Sequence, residues 1–142
     1  MSAPLFIDTW GWIVLANRKD PQHTDVVAVY QEARAGQRLL VTTDYVIDEL
    51  VTFLFAKVPA SKAKQFVGSV FSAVEQGQVR LVTIDTDRFA RTWTMRLKYA
   101  DHRNISFTDF SSFIVMRDLQ IQHVLTNDHH FSKINQGFIR CP

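Results

Sequence analysis

The sequence predicts an α/β fold with a mostly parallel sheet that is covered by helices on both faces. Short apolar runs alternate with longer helix-like segments along the whole chain, the pattern that right-handed βαβ crossovers produce. The 142 residues are 46% hydrophobic and 21% charged, which is ordinary for a globular protein. No repeat, linker or low-complexity stretch divides the chain, so we expect one domain over residues 1–142.

Five short apolar segments are predicted to be strands. The first, LFID, is a continuous apolar run that ends in an acid, as a buried strand does at its exposed end. The five segments are 5–8, 38–43, 78–85, 123–127 and 137–141.

The segments between the strands are predicted to be helices. Pro21 and Gly36 bracket one of them, the usual asymmetry of helix ends. In another, Phe89, Trp93 and Leu97 recur at steps of four and form one helical stripe. The predicted helices are 9–19, 21–36, 44–57, 59–77, 86–100 and 106–120.

Composition indicates a cytoplasmic protein without a membrane span. The only cysteine, Cys141, has no partner for an internal disulfide, which favours a reducing compartment. The N-terminus lacks the basic and apolar regions of a signal peptide, and no apolar run approaches about 20 residues. The formal net charge of +2 does not by itself point to nucleic acid or to a membrane surface.

Four acids fall near one edge of the predicted sheet. Asp8 ends the first strand and Asp128 follows the strand 123–127, so both lie at the carboxyl edge, where open α/β sheets form their functional crevice. Glu49 lies one turn into the helix after the second strand, and Asp109 opens the helix 106–120.

A helix cap is the alternative interpretation of three of these acids. Asp8 has the position of a cap for the next helix, Ser106 and Asp109 have the spacing of a capping box, and Asp128 precedes a short turn. Glu49 does not fit this interpretation, because it lies beyond the first turn and beside apolar residues. With no Lys or Arg within one turn, its partner must come from elsewhere in the fold or from solution.

A divalent cation would relieve the repulsion among four carboxylates that meet at one edge. Mg²⁺ and Mn²⁺ suit oxygen ligands, whereas the adjacent His129 and His130 have poor spacing for a tetrahedral zinc site. Carboxylates that hold hard cations commonly serve phosphodiester hydrolysis, in which an ion activates the attacking water.

Four stretches resemble the motifs of PIN-domain proteins, and most closely those of the VapC-type ribonuclease toxins of toxin–antitoxin pairs. They are FIDTW with Asp8, TTDYVIDELVTFL with Glu49, SFTDFSSFIVMRD with Asp109, and VLTNDHHF with Asp128. Their order and spacing match over nearly the whole chain.

The resemblance implies a three-layer α/β/α sandwich and metal-dependent endoribonuclease activity on RNA. It implies that the four acids hold Mg²⁺ or Mn²⁺, with Thr126 as a supporting residue, and that the protein forms a homodimer neutralised by a small antitoxin. Two residues depart from the usual pattern: Trp10 stands where a small residue is usual, and Phe110 stands where Ala is common.

Several further residues admit two interpretations. Trp10 and Trp12 are candidates for stacking on RNA bases, although packing is the commoner role of such residues. The basic stretch 88–103 is either a phosphate-binding surface or a solvated helix face. His129 and His130 are candidate phosphate donors at the rim, and Asp48 is interpreted as a surface residue.

Two other functions compete with the nuclease. A phosphoryl-transfer domain also carries Asp at the end of its first strand, but the second Asp that such phosphatases need is replaced by Trp10. A non-catalytic module that keeps the fold for RNA or protein binding is the other alternative, and the presence of all four acids disfavours it.

Overall fold

Five parallel strands form the centre of the fold. The computed structural model describes residues 3–128, 130–133 and 137–142, and the side chains of all of these except 132 and 133. The strands lie in the order β3-β2-β1-β4-β5, and every neighbouring pair is parallel, as predicted. Their bounds are β1 Leu5–Ile7, β2 Leu40–Thr43, β3 Val79–Val82, β4 His123–Leu125 and β5 Ile139–Cys141.

The helices confirm the predicted alternation; α3 has the predicted bounds and the other predicted helices are shorter than expected. Their ranges are α1 Thr9–Ala16, α2 His23–Ala35, α3 Asp44–Lys57, α4 Ala60–Glu75, α5 Thr86–Lys98, α6 Phe107–Asp118 and α7 His130–Lys133. The last of these was not predicted, because a four-residue helix with one large apolar residue, Phe131, carries no periodic signal.

Helices cover both faces of the sheet. Every residue of β1 and β2 is buried, although successive side chains of a strand point to opposite faces. This burial confirms the three-layer α/β/α arrangement. No described helix is both long enough and apolar enough to cross a bilayer.

Two contacts hold the elements that surround the carboxyl edge of the sheet. The ring of Phe131 in α7 is fully buried and meets the ring of Phe113 in α6 edge to face, with 4.8 Å between centroids. On α1, a Cβ added to Gly11 would lie 2.9 Å from the carbonyl oxygen of Leu125, closer than real Cβ atoms come. Helix α1 therefore lies against the end of β4 so closely that its residue at this position has no room for a side chain.

The apolar stripe of α5 lies at the surface. Phe89, Trp93 and Leu97 are 49%, 53% and 55% exposed, while Thr92 and Met95 are the buried residues of this helix. The spacing thus predicted the helix correctly, but this stripe faces outward in the single chain.

Candidate metal centre

The four acids line one cavity at the carboxyl ends of β1 and β4. The cavity has a volume of about 340 Å³. Its lining consists of Asp8, Thr9, Trp10, Ile13, Glu49, Asp109, Asn127 and Asp128. Residues that are far apart in sequence meet here because parallel strands all present their carboxyl ends at the same edge.

Asp8 occupies the N-cap position of α1, but its side chain makes no capping hydrogen bond. The hydroxyl of Thr126 instead donates to Asp8 Oδ2 at 2.8 Å, and the same hydroxyl accepts a 3.0 Å hydrogen bond from the backbone N–H of Asp128. Asp8 is only 5% exposed. The cap interpretation of this residue is therefore wrong, and Thr126 contacts it as the resemblance implied.

Glu49 faces the cavity from α3 and has a polar partner. The hydroxyl of Thr9 donates to Glu49 Oε1 at 2.8 Å, across 40 positions of sequence. Among the described residues, no ion pair involves Glu49 or Asp8. These two acids thus accept hydrogen bonds from neutral hydroxyl groups and have no cationic partner in the part of the chain that the structure describes.

Asp109 both caps α6 and lines the cavity. Ser106 Oγ accepts a 3.0 Å hydrogen bond from the backbone N–H of Asp109, and Asp109 Oδ2 accepts a 3.2 Å bond from the backbone N–H of Ser106. Both halves of the predicted capping box are present. The cap uses one of the two carboxylate oxygens of Asp109, so it does not exclude a ligand role.

His130 lies between two of the acids. Its Nδ1 is 2.9 Å from Asp128 Oδ1 and 3.5 Å from Asp109 Oδ2. One atom from each of these three residues lies within 4.8 Å of the others, so the group could hold a metal ion. The predicted position of His130 at the rim did not include this contact. The other candidate phosphate donor, His129, lies outside the described residues.

Burial and mutual repulsion weaken the acidity of two of the carboxyls. Burial, followed by the charge of Asp109, raises the pKa of Asp8 to about 7, against the opposing effect of the Thr126 hydrogen bond. Burial and the charge of Asp128 raise the pKa of Asp109 to about 6. Carboxyl groups crowded in this way fit a divalent cation, which would favour their ionised forms.

Several other predicted candidates lie away from the cavity. Trp12 is 2% exposed and donates its indole N–H to Thr42, which makes it a packing residue. Phe110 is fully buried and stacks on Tyr99, so its bulk does not narrow the cavity. Asp48 is exposed, as expected for a surface residue.

Part of the basic stretch is neutralised within the fold. Arg88 and Arg91 both pair with Asp118, and Arg91 also pairs with Asp87. Arg96 donates to the backbone carbonyl groups of residues 99, 102 and 105. These contacts favour the solvated helix face over a phosphate-binding surface for the three arginines.

Comparison with known families agrees with this arrangement. Residues 5–137 match the family model described as PIN domain. The chain belongs to the PIN-domain family. The match spans all four acids and four of the five strands in full.

Relatives of this PIN domain resemble it over nearly their full lengths. It is 30% identical over 135 residues to the 23S rRNA-specific endonuclease VapC20 of Mycobacterium tuberculosis, covering 95% of both chains. The crystal structure of that VapC20, described as a sarcin–ricin loop cleaving toxin, superposes with a TM-score of 0.77 at 27% identity, covering 95% of this chain and 96% of the other. VapBC2 from Rickettsia felis shares the fold, with a TM-score of 0.68 at 11% identity and 96% coverage of both chains.

Proposed function

We propose that this PIN domain is a metal-dependent endoribonuclease that hydrolyses phosphodiester bonds in RNA. Its ligands for Mg²⁺ or Mn²⁺ are Asp8, Glu49, Asp109 and Asp128. The observation that carries the proposal is their position around one cavity, in which Asp8 and Glu49 form no ion pair among the described residues. RNA is the inferred substrate because the VapC20 relative acts on 23S rRNA.

A bound divalent cation would supply a Lewis acid for the phosphate and would lower the pKa of a water molecule. The chain's own residues hold the carboxylates in place. Thr126 orients Asp8, and Thr9 orients Glu49. The capping box fixes Asp109 at the start of α6. Such supporting hydrogen bonds keep ligand geometry ready before the ion arrives.

Trp10 is the proposed contact for a base next to the cleaved bond. It lines the cavity beside the acids and is partly buried. An aromatic side chain there can stack on an unpaired base of any identity. A substrate with exposed single-stranded bases fits this site better than a continuous duplex, whose bases are already stacked.

A small antitoxin is the proposed protein partner, because the VapC20 relative is described as a toxin. A second copy of the chain is the proposed partner of the apolar stripe on α5. The side chains of Phe89, Trp93 and Leu97 are each about half exposed along one face of this helix. A two-fold axis beside Trp93 would bury the stripe of one copy against the stripe of the other.

Cleavage of total RNA by the purified protein tests the enzymatic proposal. We expect discrete cuts with Mg²⁺ or Mn²⁺, none with EDTA, and none with Asp8→Asn. Asp48→Asn is the matched control, because Asp48 is an exposed acid next to Glu49 and should cut like the wild type. A folded, metal-binding protein that cuts no RNA would instead support the non-catalytic binding module.

A further inference from the structure

We propose that His130 is a nitrogen ligand of a metal ion that it shares with Asp109 and Asp128. The inference rests on the proposed function and adds to it a ligand that is not a carboxylate. It also changes the expected choice of metal. Nothing in the capping, packing or base-stacking interpretations of the cavity requires an imidazole at this position.

The distances around His130 suit one ion. Its Nδ1 lies 2.9 Å from Asp128 Oδ1 and 3.5 Å from Asp109 Oδ2, the oxygen that also accepts from the backbone N–H of Ser106. Neighbouring ligands of an octahedral ion with bonds of about 2.1 Å lie about 3 Å apart, and opposite ligands lie about 4.2 Å apart. Small movements of these three side chains would therefore bring their ligand atoms to the distances of one shared metal site.

The local backbone holds the imidazole in this position. Asp128 Oδ1 accepts a 2.9 Å hydrogen bond from the backbone N–H of His130. The next residue, Phe131, is fully buried against Phe113 of α6. The His130 side chain is 19% exposed. Packing of α7 therefore directs the imidazole toward the two acids and leaves it little freedom to turn to solvent.

A nitrogen ligand shifts the preference among divalent ions. Carboxylate and water oxygens suit Mg²⁺ and Mn²⁺ alike, whereas imidazole is a ligand of transition metals and is unfavourable for Mg²⁺. We therefore expect a protein that binds Mn²⁺ more tightly than Mg²⁺, by a margin that depends on His130. A purely ionic contact between a protonated His130 and the acids would give no such dependence.

Pulsed electron paramagnetic resonance of the Mn²⁺-loaded protein tests this inference directly. Coordinated imidazole adds a ¹⁴N modulation to the Mn²⁺ signal, which we expect in the wild type and not in His130→Gln. His23→Gln is the control, because the ring Nδ1 of His23 donates to the carbonyl oxygen of Val14, away from the cavity. In titrations, we expect His130→Gln to bind Mn²⁺ about tenfold more weakly and Mg²⁺ nearly unchanged.

The outcomes separate this inference from the proposed function. Mn²⁺ that binds the wild type without a ¹⁴N modulation overturns the ligand role of His130 and leaves the nuclease intact. A modulation that survives in His130→Gln also overturns it. Failure of Mn²⁺ to bind at all overturns both. The wild-type spectrum decides the presence of a nitrogen ligand even where the variant folds poorly.

Discussion

The hydroxyl of Thr126 donates a 2.8 Å hydrogen bond to the carboxylate of Asp8, across 118 positions of sequence. The same hydroxyl accepts from the backbone N–H of Asp128, so one side chain contacts both proposed ligands at the ends of β1 and β4. The backbone N–H of Thr126 in turn donates to the carbonyl oxygen of Cys141 at 3.1 Å. Thr126 therefore fixes the relative positions of the two acids before any ion binds.

Replacing this hydroxyl should weaken metal binding. In Thr126→Val the shape of the side chain is kept but the hydrogen bond that lowers the pKa of Asp8 is lost. We expect Mn²⁺ affinity to fall by about tenfold, as for other supporting contacts of ligands. Titration calorimetry at fixed pH measures the change. Thr94→Val, on the exposed side of α5, is the control, and equal affinities for the two variants would contradict the role of Thr126.

Removal of the charge at Asp8 should stabilise the metal-free protein. The unfolded chain ionises Asp8 near its ordinary pKa of 3.8, whereas the folded protein raises that pKa to about 7. The burial of this charge costs folding on the order of 2–4 kcal/mol at neutral pH or above. In EDTA, we expect Asp8→Asn to unfold at a higher urea concentration than the wild type. Added Mn²⁺ should stabilise this variant only slightly. A lower midpoint in EDTA would show that Asp8 is not a destabilising charge.

The stability of the metal-free protein should fall as pH rises from about 4 to about 7. Both raised pKa values, those of Asp8 and Asp109, lie above the ordinary value, so the folded state binds more protons than the unfolded state in this range. The stabilisation is therefore complete below the ordinary pKa and is lost as pH passes the folded values.

Midpoints of urea unfolding, measured in EDTA across this pH range, report the decrease in stability of the metal-free protein directly. Mn²⁺ binds the ionised carboxylates, so the stabilisation by added Mn²⁺ should grow with pH over the same range. A metal-free midpoint that does not change with pH would contradict the electrostatic account of the cavity.

The α5 stripe should carry the contact between two copies of the chain. Trp93 lies at its centre and is 53% exposed. We expect the wild type to sediment as a dimer and Trp93→Lys to sediment as a monomer, because the substitution places two like charges close to the two-fold axis. Phe71→Lys is the control, since Phe71 is an exposed aromatic residue on α4. A monomeric wild type would remove this part of the proposal.

Loss of the indole at Trp10 should weaken binding of unpaired RNA. Base stacking on an aromatic side chain is worth about 1–3 kcal/mol, so Trp10→Ala in an Asp8→Asn background should raise the Kd by roughly 5- to 150-fold. Fluorescence anisotropy with a labelled single-stranded oligonucleotide measures this Kd. A duplex of the same sequence should show little change, and equal losses for both RNAs would argue against stacking.

The meeting of Asp8 and Asp128 at one edge could be predicted because it depends on sheet topology, whereas Glu49 and Asp109 lie on helices and were added by the resemblance. In a parallel sheet the residues that follow each strand meet at one edge, so the positions of Asp8 and Asp128 followed from the strand assignments. Whether an acid caps a helix or faces a ligand could not be decided in this way. Asp109 takes part in the cap and also lines the cavity, because a carboxylate has two oxygens and the capping box occupies one of them.

Contacts that depend on tertiary packing could not be predicted from the sequence. The position of His130 results from the burial of Phe131 against Phe113, two aromatic residues whose contact has no periodic signature. The exposure of the α5 stripe likewise could not be predicted. A spacing of four identifies a helical face but does not show whether that face packs within the chain.

Gly11 has a consequence for how related chains can vary. The atom that a Cβ at this position would strike first is a backbone oxygen, that of Leu125, which every amino acid carries. No substitution at position 125 can remove that oxygen, so a larger residue at position 11 has no compensating partner there. Natural variants that keep α1 seated on β4 should therefore retain glycine at position 11, even where the side chains around the acids differ.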